Sequence, residues 1–401
     1  MINKTAIVAG QICLDVIPDR SAVPEGQFNT LIQPEDLVHT QGVLCNPGGA
    51  VGKTGLVLHR LGVPVRLIGK IGHDLIGQTL LDLLRAEAPH LADDLVIDLS
   101  LPTSVTIVID SPGSDRSFLY NPGANNTFYA SDLPRPILEG AHLFHFGNPT
   151  LMRSIYRGEG AELVSILQRA RRAGLSTSLD VTLPDPSTPA GMLDWPTILA
   201  NTLPLVDLFV PKAEELVFLL DRETYDRLNA DSHTPFFEAL TPDMLEALAE
   251  TVLSYGVKAL LVNLGHRGLY LRTAPAQKWD KCGRGLEALD HRWHDRQLWA
   301  PAFNAPDKTT TGAGDTAVAG FLASILQGSD PQSALQISAT AGALSLETAD
   351  ADSGLTGWDE IWARIEGGWK QRPLNLEAPG WDWDQDFGLW QKQSLPKTDH
   401  G

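Results

Sequence analysis

The chain has 401 residues, 43% of them hydrophobic, and carries 31 Lys+Arg against 49 Asp+Glu for a formal net charge of −18. That length supports two or three domains, or one large α/β domain with an appendage, and a core that needs no disulfide or structural metal. The negative surface repels a phosphate backbone and argues against a nucleic-acid or anionic-membrane binder, while leaving room for a small anion in a local positive pocket.

Cys13, Cys45 and Cys282 are too few and too scattered for a disulfide framework, so a reducing compartment, the cytoplasm, is expected. The apolar run ending at Gly10 is short and soon broken by Gln11 and Asp15, unlike a secretory leader. No stretch approaches the roughly 20 apolar residues that span a bilayer.

In chain order, Ala6–Ala9 reads as a buried first strand. Residues 15–45 are polar and punctuated by Pro and Gly, as in a loop system or a small exposed sheet. Asn46 to Ala50 reads as a turn, followed by a helix that stops at Gly62. Val65 to Gly69 is a strand, and Asp74 caps the next helix. Thr103 to Asp110 alternates like a half-exposed strand, and Ser117 to Tyr120 pairs with it across Pro112-Gly113.

Strands at His142–Phe146, Leu175–Leu179, Val206–Val210 and Ala259–Leu264 alternate with helices at 161–173 and 241–255. That alternation predicts a doubly wound α/β fold: a mostly parallel sheet with helices on both faces. Residues 276–298 read as a polar, irregular insertion, and helices follow at 313–326 and 334–346. The last 44 residues hold six of the ten Trp, which pack back on the domain or against a neighbouring subunit, or form a partner-binding segment.

Two Gly-rich turns precede helices. Gly48-Gly-Ala-Val-Gly-Lys-Thr54 ends like a phosphate-binding P-loop, but Pro47 stands where that motif needs its first glycine. A tight turn before a helix is the plainer reading. In Thr309-Thr-Thr-Gly-Ala-Gly-Asp315, Gly312 and Gly314 let the backbone approach a ligand, and their amides lie where a helix dipole favours negative charge. Asp315 can accept a proton there, or Thr311 or Asp315 simply caps the helix.

Together these segments resemble the ribokinase-like, or PfkB-type, carbohydrate kinase family from about residue 6 to about residue 355. The most specific match is Thr310-Thr-Gly-Ala-Gly-Asp-Thr316. Pro47 to Ala50 with Leu61-Gly62, Ile68 to Gly77, and Leu264 to Gly268 match further blocks in the right order. The resemblance implies ATP- and Mg²⁺-dependent phosphorylation of a sugar or nucleoside hydroxymethyl group.

It also implies roles. Asp315 matches the catalytic base, and Gly312, Ala313 and Gly314 the anion hole. Asp15, Gly48 and Gly49 match the sugar-binding residues, Glu215 the glutamate that organises Mg²⁺, and Asn263, Gly265 and Gly268 the nucleotide site. Residues 15–45 and 102–122 match a β lid whose closure excludes water. The large domain then comprises 1–14, 46–101 and 123–357, with 358–401 as a C-terminal extension. The lid edge implies a homodimer.

The chain departs from the family in three places. Lys53 replaces a substrate-touching Asn, and either reads an anionic group or points to solvent. Lys212 replaces the Asn of Asn-x-x-Glu and can contact nucleotide phosphate. Thr309 replaces an Asp at a monovalent-cation site, with Asp307 two residues away, which puts potassium activation in doubt. Asp180 is a site residue or a strand-end turn residue.

His291 and His294, with Cys282, form a candidate metal group outside this scheme, and a solvated surface accounts for them better. Two other functions stay open: a nucleoside kinase, with Phe28 in an aromatic slot, and a sensor that binds without turnover.

Overall fold

The computed structural model describes residues 3–19, 39–111, 114–231, 233–305, 312–347, 355, 357–376 and 378–392. A ten-stranded sheet forms its body. Six strands run parallel: Val65–Ile68, Ala6–Gly10, Leu143–Gly147, Ser176–Leu179, Leu208–Phe209 and Ala259–Asn263. Four antiparallel strands continue it: Leu269–Thr273, Gln297–Ala300, Leu389–Lys392 and Trp381–Asp384.

The first strand explains why the sheet is covered twice. Ala6 and Val8 face one apolar core, and Ile7 and Ala9 face the other. Side chains alternate along a strand, so an unbroken apolar run is stable only with helices on both sides. The Gly49–Arg60, Ala313–Gln327 and Pro331–Ser345 helices cover one face; Arg153–Arg172, Trp195–Thr202 and Pro242–Ser254 cover the other. This is the doubly wound α/β architecture expected from the sequence.

Strand order reverses beside Ala6–Gly10: the next strand of the body in sequence, Val65–Ile68, lies on one side and Leu143–Gly147 on the other. At such a switch point the loops leave in opposite directions and open a crevice at the strands' carboxyl ends. A Cβ on Gly10 would lie 2.3 Å from the Gly147 carbonyl, so this crevice is closed at its base by backbone alone.

A separate four-stranded sheet runs Gly42–Gly48, Cys13–Asp19, Val105–Ser111 and Ser114–Asn121. Residues 20–38, Pro112 and Gly113 lie outside the described residues, and Phe28 with them.

Several boundaries differ from the sequence reading. Asn46, Pro47 and Gly48 are strand, not turn, because Gly42–Gly48 is an edge strand, where proline breaks no shared ladder. The helix expected from Ala161 does run from there, and a further short turn from Arg153 precedes it across a break at residues 157–160, where three consecutive residues have positive φ. Residues 276–298 are irregular but not a solvated insertion, since Leu286 and Trp293 lie in the core at 1% exposure. In the C-terminal segment, Trp381 packs on Tyr270 and Trp299, and Trp369 stacks on Phe303. Trp381 lies in the strand that ends the body's sheet, and Trp369 packs back on the body.

Candidate active site

The crevice holds two large cavities and a small one between them. The first, about 870 Å³, is walled by Asp15, Gly49, Lys53, Gly312 and Asp315. The second, about 570 Å³, is walled by Asn263, Gly265, Gly268, Ala313 and Gly314. The third, about 60 Å³, is lined by Asn148, Asp180, Lys212, Glu215, Gly314 and Asp315. Lys212 borders all three.

Local sequence builds this junction. Gly312 takes φ +92°, a left-handed conformation that glycine adopts freely, and the Ala313–Gln327 helix starts from it. Asp315 therefore sits in the first turn, and its Oδ1 accepts from Thr54 Oγ1 at 3.3 Å. Thr54 comes from the Gly49–Arg60 helix, which packs directly on the Ala313–Gln327 helix.

Lys212 precedes the Ala213–Leu220 helix, and its backbone N–H donates to Glu215 Oε2 at 2.7 Å. That capping contact fixes the glutamate beside the lysine. Burial pushes the Glu215 carboxyl up to about 7, against the opposing charge of Lys212. Burial, then the charges of Glu215 and Asp315, raise Asp180 as well. The same carboxylates, Glu215 foremost, hold the Lys212 ammonium charged.

At the far wall, Lys53 Nζ lies 2.9 Å from Asp15 Oδ2, with both side chains nearly buried. The Cys13 thiol donates to Asp15 Oδ1 at 3.2 Å. Gly48 stands behind this pair, where a Cβ would lie 2.2 Å from the Asp15 carboxylate.

A helix N-terminus, a carboxylate in its first turn and a fixed ammonium between two cavities can pass a phosphoryl group from one cavity to the other. Residues 6–356 match the model of the pfkB family carbohydrate kinases. The chain belongs to that family, and is therefore an enzyme, a carbohydrate kinase.

Among curated relatives, it is 25% identical over 331 residues to probable fructokinase-5 of Arabidopsis thaliana, covering 81% of this chain and 84% of that one. It is 23% identical over 318 residues to fructokinase-2 of Oryza sativa subsp. japonica, covering 79% and 78%. Among solved structures, a putative ribokinase II from E. coli superposes with a TM-score of 0.65 at 21% identity, covering 91% and 99%. A fructokinase from Xylella fastidiosa with bound ATP also gives 0.65, at 20% identity and 90% and 98% coverage. The family's fold thus extends over the chain.

The site residues expected from the family resemblance converge here, with one qualification: Gly48 borders Asp15 and not the cavity itself. Lys53 is not on the solvent side. It faces the larger cavity, and its ammonium is paired with the Asp15 carboxylate. The Gly52-Lys53-Thr54 tripeptide is mid-helix, and a Cβ on Gly52 would lie 2.6 Å from the Pro47 carbonyl, which leaves no phosphate cradle. Asp307, Thr309 and Thr311 lie outside the described residues.

Sequence reasoning missed Gln11, Thr54, Asn148 and Thr182. Asn148 takes φ +58°, donates to Gln11 Oε1 at 3.1 Å and accepts from Thr182 Oγ1 at 2.6 Å. Gln11 and Asn148 follow the two strands that flank the switch point, and that position was the available signal.

Proposed function

We propose that this kinase transfers the γ-phosphoryl group of ATP to a hydroxymethyl group of a neutral sugar, a ketose foremost. The observation that carries the reading is the meeting of the two large cavities at Lys212, Gly314 and Asp315. ATP lies in the cavity of Asn263, Gly265 and Gly268, and the sugar lies against Asp15, Gly49 and Lys53. The fructokinase relatives favour a ketose. The Lys53–Asp15 pair offers donors and acceptors to hydroxyls with no net charge.

In this mechanism Asp315 takes the hydroxyl proton as the sugar oxygen attacks the γ-phosphorus. The new O–P bond forms as the bond to the β-phosphate oxygen breaks, and ADP leaves. The Gly312–Gly314 amides and the Lys212 ammonium hold the charge on the transferring oxygens. Thr54 keeps Asp315 turned toward the sugar. The four-stranded sheet supplies Cys13, Thr106 and Tyr120 to the sugar cavity and, by covering it, keeps water from the phosphoryl group.

Among the described residues, no three His, Cys, Asp or Glu side chains group closely enough to hold a bare metal ion. The carboxylates of Asp180 and Glu215 fit a Mg²⁺ that arrives on nucleotide phosphates and keeps most of its waters. They would hold its water shell, and the ion would neutralise phosphate charge when bound.

We assign the enzyme to the cytoplasm and to a homodimer. All three cysteines are free thiols. Among the described residues no helix is long and apolar enough to cross a membrane. Val43, Ile107 and Leu119 leave the outer face of the four-stranded sheet with an exposed apolar surface suited to a second copy.

The test is ADP release with ATP and Mg²⁺ over a panel of ketoses, aldoses, sugar acids and nucleosides. Turnover on a neutral sugar is expected. Preference for a nucleoside or an acid would overturn the acceptor, and ATP binding without turnover on any panel member would overturn the kinase mechanism in favour of a sensor.

A further inference from the structure

We propose that a basic cavity at the opposite end of the sheet from the active site binds a small anion bearing phosphate groups. The cavity, about 620 Å³, is lined by Arg135, Arg169, Arg172 and Arg284 against a single carboxylate, Glu139. Over the whole chain acids outnumber bases, 49 to 31, so four arginines to one glutamate reverses the chain's bias. The volume lies within the range of small-molecule sites.

The arginines come from three separate segments. Arg135 starts the short helix Arg135–Leu138, Arg169 and Arg172 end the Arg153–Arg172 helix, and Arg284 lies in the irregular stretch beyond residue 276. A helix C-terminus attracts cations by its dipole, which accounts for Arg169 and Arg172 but not for the other two.

Two of the guanidiniums are anchored. Arg169 Nη1 donates to the carbonyls of Ala130 and Leu133 at 2.6 and 3.1 Å. Arg284 donates from Nε and Nη2 to the Ala141 carbonyl at 3.1 and 2.6 Å. Carbonyls orient a guanidinium without cancelling its charge. Among the described residues Arg169, Arg172 and Arg284 make no ion pair, and Arg135 has only an exposed contact to Glu139 at 3.5 Å. Oriented, uncancelled guanidiniums are the fork that matches phosphate oxygens two at a time. The net charge of −18 repels nucleic acid and anionic lipid, which selects a free small molecule.

The place in the fold separates this site from the catalytic one. Ala141 precedes the Leu143–Gly147 strand, whose other end leads to Asn148. Ala173, which also lines the cavity, precedes Ser176–Leu179, whose other end leads to Asp180. The inference does not rest on the proposed reaction.

Isothermal titration with inorganic phosphate and with a hexose bisphosphate tests it, on protein saturated with ADP and sugar so that the catalytic cavities are filled. The bisphosphate is expected to bind, more weakly at high salt. The double variant Arg135→Glu/Arg172→Glu is expected to weaken it about tenfold or more, and Arg135→Lys/Arg172→Lys by less. Both positions are exposed, so the lysine variant, which keeps the charge at the helix end, should melt at the wild-type temperature in buffer alone, and the glutamate variant only slightly below it. Three results would each overturn the proposal: no binding up to about 10 mM, loss of binding once ADP and sugar are present, or equal binding by the charge-reversed variant.

Discussion

The two glycine turns look alike in sequence and do opposite work. Each opens a helix, and the two helices pack together, joined at Thr54 and Asp315. At the first turn the glycines make room for neighbours. A Cβ on Gly49 would lie 2.2 Å from Gln11 Oε1 and 2.4 Å from the Gln11 carbonyl, and that carbonyl accepts the Val51 N–H at 3.2 Å. This helix end is therefore closed by its own chain. At the second turn the neighbours are the ends of side chains. The atoms nearest a Cβ on Gly314 would be Lys212 Cε at 3.3 Å and Asn263 Nδ2 at 3.6 Å. Glycine fits against the Gln11 backbone and side chain in one place and faces the Lys212 and Asn263 side chains in the other.

Asp315→Asn breaks the second turn's chemistry and should have the largest effect, with kcat falling about 10²- to 10⁴-fold while KM changes little. Steady-state kinetics on the preferred sugar measures it, and a loss below tenfold would contradict the base assignment. Gly49→Ala tests the first turn. At φ +76° and with Gln11 in the way, it should lower stability by about 1–3 kcal/mol in urea unfolding. Gly314→Ala should leave stability within about 0.5 kcal/mol and lower kcat instead, because its methyl presses on Lys212. If both variants lost only stability, the contrast between the turns would fail.

The sheet body and the helix that starts at Ala313 were legible because period and spacing there are local properties of the chain. The partners of the site were not. Thr54 and Asp315 are 261 residues apart, and Gln11 and Asn148 are 137 apart. No local pattern announces such contacts. Lys53 illustrates the cost: its type suggests an anion reader, yet Asp15, brought back by an antiparallel strand pairing, balances it. Residues 276–298 misled because their polar count hides Trp279, Leu286, Trp293 and Leu298, which are buried in the core.

Glu215 sharpens the comparison through pH. Its carboxyl stands at about 7 in the fold against 4.5 ordinarily, with burial as the main cause. Between those values the folded protein holds a proton that the unfolded chain releases. Stability of the ligand-free protein should therefore fall as pH rises through this window, and Glu215→Gln should flatten that slope in pH-dependent urea titrations. Because the ionised carboxylate is the useful form, kcat/KM should rise with pH through about 7 in the wild type. An acid limb that survives unchanged in the glutamine variant would assign the limb to another group.

The smallest effect belongs to the link between the turns. Thr54→Val keeps shape and removes the hydroxyl that donates to Asp315 at 3.3 Å. Thr54 is fully buried, so water does not replace the lost donor. A single hydrogen bond of this kind contributes about 0.5–1 kcal/mol, or about two- to fivefold in kcat. If the hydroxyl only stabilised the helix pair, melting temperature would fall and kcat would hold. If it orients the base, kcat falls, and the same substitution made in the Asp315→Asn protein costs nothing further, because the carboxylate it aims is already gone.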